Sequence, residues 1–133
     1  YHNGKINELY GYKEGLWWVQ DFAASLAVKV LGNNLSNKKI LDLCAAPGSK
    51  SFGAALMMEN TGAVHSYDLH ENKVSLIRRG AEALGLTALT AAAGDARLAS
   101  AETVGVFDRV ICVRRFFKKE TGCSPKHYIR KNQ

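Results

Sequence analysis

The sequence predicts an α/β fold, a parallel sheet with flanking helices, and three observations carry that prediction. Short apolar runs alternate with longer segments of helical period, which is the βαβ order of a parallel sheet. The runs end in a small-residue loop at 44–50 or in single acids, Asp68 and Asp95. Apolar residues are 47% and charged residues 23% of the 133, ordinary globular values that fit one domain at the usual ~100–200 residues each.

Each element follows from local pattern. Residues 1–18 are polar and Gly-rich, with Tyr10, Tyr12, Trp17 and Trp18 among them. They read as an irregular lead-in whose aromatics pack into the core, because rings of that size have much surface to hide. Asp21 is a candidate N-cap. Phe22, Leu26 and Val30 then recur at i, i+4 and i+8, beside Ala23 and Ala27, and predict one buried helical face ending at Gly32. Lys39 to Leu43 reads as a buried strand. The loop follows, and a helix with Phe52, Ala55 and Leu56 apolar runs to Gly62. Ala63 to Tyr67 is a second strand ending in Asp68. Glu71 to Leu84 carries Val74, Ile77, Ala81 and Leu84 on one helical face, with Gly85 as its stop. Leu86 to Ala92 is a weak third strand, because alanines are poor strand formers. Phe107 to Cys112 is a fourth. Residues 1–38 thus form a helical lead-in, 39–112 a partial sheet domain and 113–133 a basic tail.

Composition excludes several classes. The apolar runs are only a few residues long, so no membrane span is predicted. Cys44, Cys112 and Cys123 are too scattered for a disulfide framework and show no zinc spacing, so no metal is expected and a reducing cytoplasm fits. The start, Tyr1-His2-Asn3-Gly4-Lys5, has neither an initiator Met nor a signal region, and reads as lying inside a longer protein. The net charge is +6 and sits wholly in the tail, where seven Lys and Arg stand against Glu120 alone. A basic tail on a neutral body points to an anionic partner, nucleic acid first; a solvated terminus that binds nothing is the bland alternative.

The strand ends carry the chemistry. In a doubly wound sheet, ligands bind beyond the carboxyl ends of the strands, where strand order reverses. The loop Cys44-Ala45-Ala46-Pro47-Gly48-Ser49-Lys50 lies there and opens a helix, so backbone N–H groups and a helix N-terminus face a ligand. Asp68 follows Gly48 by 20 residues, the spacing at which an acid reaches ribose hydroxyls. Asp95 is placed to accept from an exocyclic adenine amine. A Gly-x-Gly-x-x-Gly fingerprint is absent. A P-loop also fails, because Gly48-Ser49-Lys50-Ser51 has an extra residue before Lys and Leu43 stands at the first Gly. A loop without a phosphate cradle suits a cofactor lacking a pyrophosphate, such as S-adenosylmethionine. An NAD- or nucleotide-binding enzyme stays as a weaker reading.

The segments Gly11–Asp21, Leu41–Lys50, Tyr67–Lys73 and Phe107–Cys112 resemble the Sun/Nop-type RNA (cytosine-5) methyltransferases, above all the bacterial members that act on 16S ribosomal RNA. The likeness covers roughly residues 9–112, and Cys-Ala-Ala-Pro-Gly-x-Lys is its most specific part; Ser49 stands where many members have Gly. The resemblance implies a partial Rossmann-like sheet of the class I methyltransferase type, with the first and fourth strands as neighbours. It implies that residues Cys44 to Lys50 wrap the methionine part of S-adenosylmethionine. Asp68 would hold the ribose, Lys73 would stand beside it, and Asp95 would face the adenine. It also implies an RNA partner.

The resemblance fails after Cys112. Family members carry Asp-x-Pro-Cys there and a nucleophilic Cys in a later Thr-Cys-Ser stretch. Here Val113-Arg114-Arg115-Phe116-Phe117 follows, and Thr121-Gly122-Cys123-Ser124 has an inserted Gly. No catalytic residue is therefore assigned. The chain is expected to carry the cofactor half of such an enzyme. The alternative is a non-catalytic RNA-binding remnant. The fourth strand is left as an open edge, which could pair with a second copy or be covered by Phe116-Phe117.

Overall fold

A computed structural model describes residues 4–98 and 107–111 of the chain. After a 3-10 turn at Ile6–Glu8, the elements run α1 (Phe22–Lys29), β1 (Lys39–Asp42), α2 (Ser49–Met57), β2 (Ala63–Asp68), α3 (Glu71–Ala83), β3 (Leu89–Ala93) and β4 (Arg109–Ile111). The strands form one sheet in the order β3-β2-β1-β4, and every pairing is parallel. Strand order reverses between β1 and β4, as expected. The fourth strand lies within the predicted 107–112, although Cys112 and the tail 113–133 fall outside the described residues.

Strand period 2 sorts the side chains. Ile40, Val64, Leu89 and Ile111 join one buried cluster with Phe52, Ala55, Ile77 and Ala81 from the helices. The two crossovers step along the sheet in one direction, so α2 and α3 share that face. Helix α3 matches its pattern: Val74, Ile77 and Ala81 are buried, and Gly85 beyond its end has φ +66°.

Three expectations are corrected. Asp21 caps α1 by accepting from the Ala23 amide at 3.0 Å, as predicted, but the face is wrong. Phe22 is 75% and Val30 85% exposed, while Val28 and Leu31 are buried. The helix is apolar nearly all round, and its orientation is set by α2, where Gly53 leaves room for Val28: a Cβ there would lie 3.3 Å from the Val28 methyl. The lead-in aromatics are not all core. Tyr10 is 88% exposed and Tyr12 is exposed, whereas Trp18 reaches the cluster edge-on to Phe52 with ring centres 6.4 Å apart. The third strand begins at Leu89 rather than Leu86, because Leu86 is buried in the turn that returns from α3.

Candidate functional site

The loop between β1 and α2 is built from the inside. Asp42 ends β1 fully buried, and Lys50 in the first turn of α2 is only 6% exposed. The Lys50 ammonium donates to the Cys44 carbonyl at 2.7 Å and lies 3.4 Å from Asp42 Oδ2. Ser51 Oγ donates to Asp42 Oδ2 at 2.9 Å, Ser66 Oγ donates to Ser51 Oγ at 2.8 Å, and the Cys44 amide donates to Asp42 Oδ1 at 3.4 Å. Burial pushes the Asp42 carboxyl above its ordinary range, opposed by the Lys50 ammonium, the Ser51 hydroxyl and the Cys44 amide. The sequence reading missed this network. Its signal was an acid inside the buried run 39–43, which demands a partner because a lone buried charge is expensive.

The same loop is stitched to neighbouring strand ends. The Leu43 amide donates to the Ile111 carbonyl at 3.1 Å, and the Ala45 amide to the Tyr67 carbonyl at 2.9 Å. Gly48 caps α2 at φ +112°, and a Cβ there would meet the Phe52 ring at 2.4 Å. On the other side a Cβ at Gly80 of α3 would meet that ring at 2.5 Å. Two glycines therefore seat Phe52 between loop and helix, which fixes where the loop backbone lies. The Gln20 amide adds a tie to the Ser49 carbonyl at 3.0 Å.

Four predicted site residues meet at the carboxyl ends of the strands. Cys44, Asp68, Lys73 and Asp95 line one hollow of about 90 Å³ together with Leu43 and Gly94. A second hollow of about 250 Å³ shares Leu43, Gly94 and Asp95 with it and adds Leu41, Tyr67 and Leu98. A half-buried carboxylate thus adjoins an apolar slot, an arrangement suited to a sugar diol beside a planar ring. Asp68 Oδ2 accepts from the Ala46 amide and Oδ1 from the His70 amide, both at 3.3 Å. Those bonds fix the carboxylate to the loop. Ala45, Gly48, Ser49 and Lys50 turn inward and are buried, Ala46 is half-buried, and Pro47 is exposed. A wider trough of about 560 Å³ along α3 and the β3 edge lies away from these strand ends.

Asp95 has a partner the sequence reading did not foresee. The Arg97 Nε lies 2.8 and 2.9 Å from the two carboxylate oxygens, and the Arg97 amide donates to Oδ1 at 2.9 Å. The Arg97 side-chain and backbone hydrogen bonds hold the Asp95 carboxyl down at about 2. The Lys39 amide likewise lowers Asp108, accepted at 2.8 Å, and ties β4 to β1. A depressed folded-state value means a contribution present above the unfolded carboxyl range, about pH 4, and lost as pH falls towards 2. We expect Asp95→Asn to lose less stability than the parent between pH 4 and pH 2 in urea titrations; equal loss would remove Asp95 from the acid response.

The geometry of this site accompanies a clear relationship. The profile of the family described as 16S rRNA methyltransferase RsmB/F matches residues 29–133. The chain belongs to that family. The relatives of this RsmB/F member include the probable ribosomal RNA small subunit methyltransferase B of Bacillus subtilis, 41% identical over 110 residues, covering 81% of this chain and 24% of that protein. The human tRNA (cytosine(72)-C(5))-methyltransferase NSUN6 is 40% identical over 74 residues, 56% of this chain and 16% of that protein. Among solved structures, PH0851 superposes with a TM-score of 0.74 at 27% identity, over 82% of this chain and 25% of that one. NSun6 from Pyrococcus horikoshii, solved with SFG, gives 0.65 at 26%, over 71% and 24%. The chain spans about a quarter or less of the length of these relatives. Among the described residues no helix is long and apolar enough to cross a membrane, and no cluster of metal-binding side chains occurs.

Proposed function

We propose that this chain carries the S-adenosylmethionine-binding half of an RNA cytosine-C5 methyltransferase whose substrate is 16S ribosomal RNA in the cytoplasm. The observation that carries this reading is the convergence of Cys44, Asp68, Lys73 and Asp95 on one hollow at the strand ends, next to an apolar slot. Residues 39–112 are the cofactor unit in this reading. The loop 44–50 would wrap the methionine part, Asp68 would accept from the ribose hydroxyls, Lys73 would stand beside that acid, and the Asp95 side would receive the adenine. The donor set fits the cofactor: Asp68 has spare lone pairs beyond its two backbone bonds, and the small residues Ala45, Ala46 and Gly48 keep the loop backbone close. When bound, the cofactor supplies the electrophilic methyl group. RNA is the partner that the basic tail favours. The β4 edge is the strand through which two copies would pair.

The test is calorimetry with S-adenosylmethionine. The parent chain is expected to bind it, and Asp68→Ala is expected to weaken binding by about 1–3 kcal/mol, the scale for a hydrogen bond to a charged group. Unchanged affinity in the variant would take Asp68 out of the ribose site. The family profile runs on to residue 133, but the Asp-x-Pro-Cys that the resemblance leads one to expect after Cys112 is not in the sequence, and this favours the second reading, a non-catalytic RNA-binding remnant. Methyl transfer separates the two.

A further inference from the structure

A cleft of about 480 Å³ between the lead-in and α3 is left unused by the cofactor site. It falls within the ~300–1,000 Å³ of ordinary ligand pockets. Its lining includes Tyr12, Trp17, Trp18 and Phe52 together with Lys13 and Arg79, and among the described residues no acid. The rings are set edge to face, Tyr12 on Trp17 with centres 5.3 Å apart at 61°, and Trp18 on Phe52 at 89°. In each edge-to-face pair one ring covers a single face of the other, and the remaining faces are not stacked within the pair. The Trp17 indole N–H is fixed by the Tyr10 carbonyl at 2.8 Å, so the platform is held in place. The Trp18 indole N–H is buried with no acceptor among the described residues. Among those residues Arg79 has one weak backbone bond, to the Ser75 carbonyl at 3.4 Å, and Lys13 forms no ion pair. Two cations without carboxylates, beside held aromatic faces, are a receptor for something flat and anionic.

We propose that this cleft seats an unpaired RNA nucleotide, the base stacking on the exposed Tyr12 ring, which Trp17 braces, and its phosphates meeting Lys13 and Arg79. Single-stranded nucleic acid is bound by this pairing of aromatic stacking with cations. A base buried within a duplex has no free face to offer. The inference rests on RNA being the partner, as proposed above, and adds a contact surface apart from the cofactor hollow. The two share one loop, since Pro47 lines the cleft while Cys44 lines the hollow.

The chain has two tryptophans and both line the cleft, so their emission reports on it directly. The full chain is titrated with an end-labelled oligouridylate of about 12 nucleotides, long enough for one aromatic–cationic site. Label anisotropy and tryptophan emission are followed together. Emission is expected to quench in step with anisotropy, and duplex RNA of the same length to leave it unchanged. Tyr12→Ala should weaken binding roughly tenfold, the scale for one stacked base. The Lys13→Ala/Arg79→Ala pair should flatten the logarithmic salt slope by about 1.4, at ~0.7 per phosphate on single strands. S-adenosylmethionine affinity should not change in these variants, which also shows that they fold. Anisotropic binding with unchanged emission, and parent affinity in Tyr12→Ala, would overturn the inference while leaving RNA as the partner held elsewhere. Absence of RNA binding even at low salt would overturn both. Self-association that Tyr12→Ala abolishes, with RNA affinity intact, would make the cleft a protein-docking surface and also overturn the inference.

Discussion

Given unmodified ribosomal RNA and labelled S-adenosylmethionine, this 133-residue chain alone is expected to transfer no detectable methyl group. Cytosine C5 is a poor nucleophile. Enzymes that methylate it add a Cys thiolate to C6, which makes C5 electron-rich enough to take the methyl. A base then removes the C5 proton and the thiolate leaves. That chemistry needs a thiolate held against the base. By the resemblance, Val113 to Phe117 stand where Asp-x-Pro-Cys is expected, and the apolar Val113 side chain has no atom to accept a hydrogen bond from the cytosine. A thiol that is not held near its target forgoes the proximity advantage, which reaches about 7–11 kcal/mol of barrier. Cofactor binding in the same sample shows that the chain is folded and loaded. Robust transfer by the intact chain would refute the expectation, and its loss in Cys123→Ser would identify Cys123 as the nucleophile.

Asp42→Ala is expected to cost about 3–5 kcal/mol of folding stability, the scale for breaking a buried ion pair from one side. The Lys50 ammonium, 6% exposed, would keep the Cys44 carbonyl but lose its carboxylate. Ser51 would lose its acceptor in the buried Ser66–Ser51–Asp42 chain. The double variant Asp42→Leu/Lys50→Met should recover part of the loss, because replacing both charges by apolar groups removes the stranded ion. Urea unfolding of the parent and both variants measures this. A loss below ~1 kcal/mol in Asp42→Ala would mean that water reaches Lys50 and that the network is not the support of the loop. The pair also bears on cofactor affinity: a double variant that folds but binds S-adenosylmethionine weakly would show that the Asp42–Lys50 pair contributes to the binding-competent loop.

The sequence by itself determined the elements and their order. Helix α3 was legible from Val74, Ile77, Ala81 and the stop at Gly85, because periodicity and breakers act within one segment. The β1–β4 adjacency was legible from the family resemblance, and the convergence of Asp68 and Asp95 from the rule that sites gather at strand carboxyl ends. Tertiary structure alone decided which face of α1 is buried. An eight-residue helix that is apolar nearly all round has no intrinsic inside, and Gly53 of α2 selects Val28 over Phe22. Tertiary structure also decided what the charges do. Whether Lys50 reaches a ligand or an internal carbonyl, and whether Asp95 is bare or held by Arg97, depends on distances of a few ångströms between side chains. Electrostatic and hydrogen-bond energies fall off over that range, and spacing along the chain does not specify it.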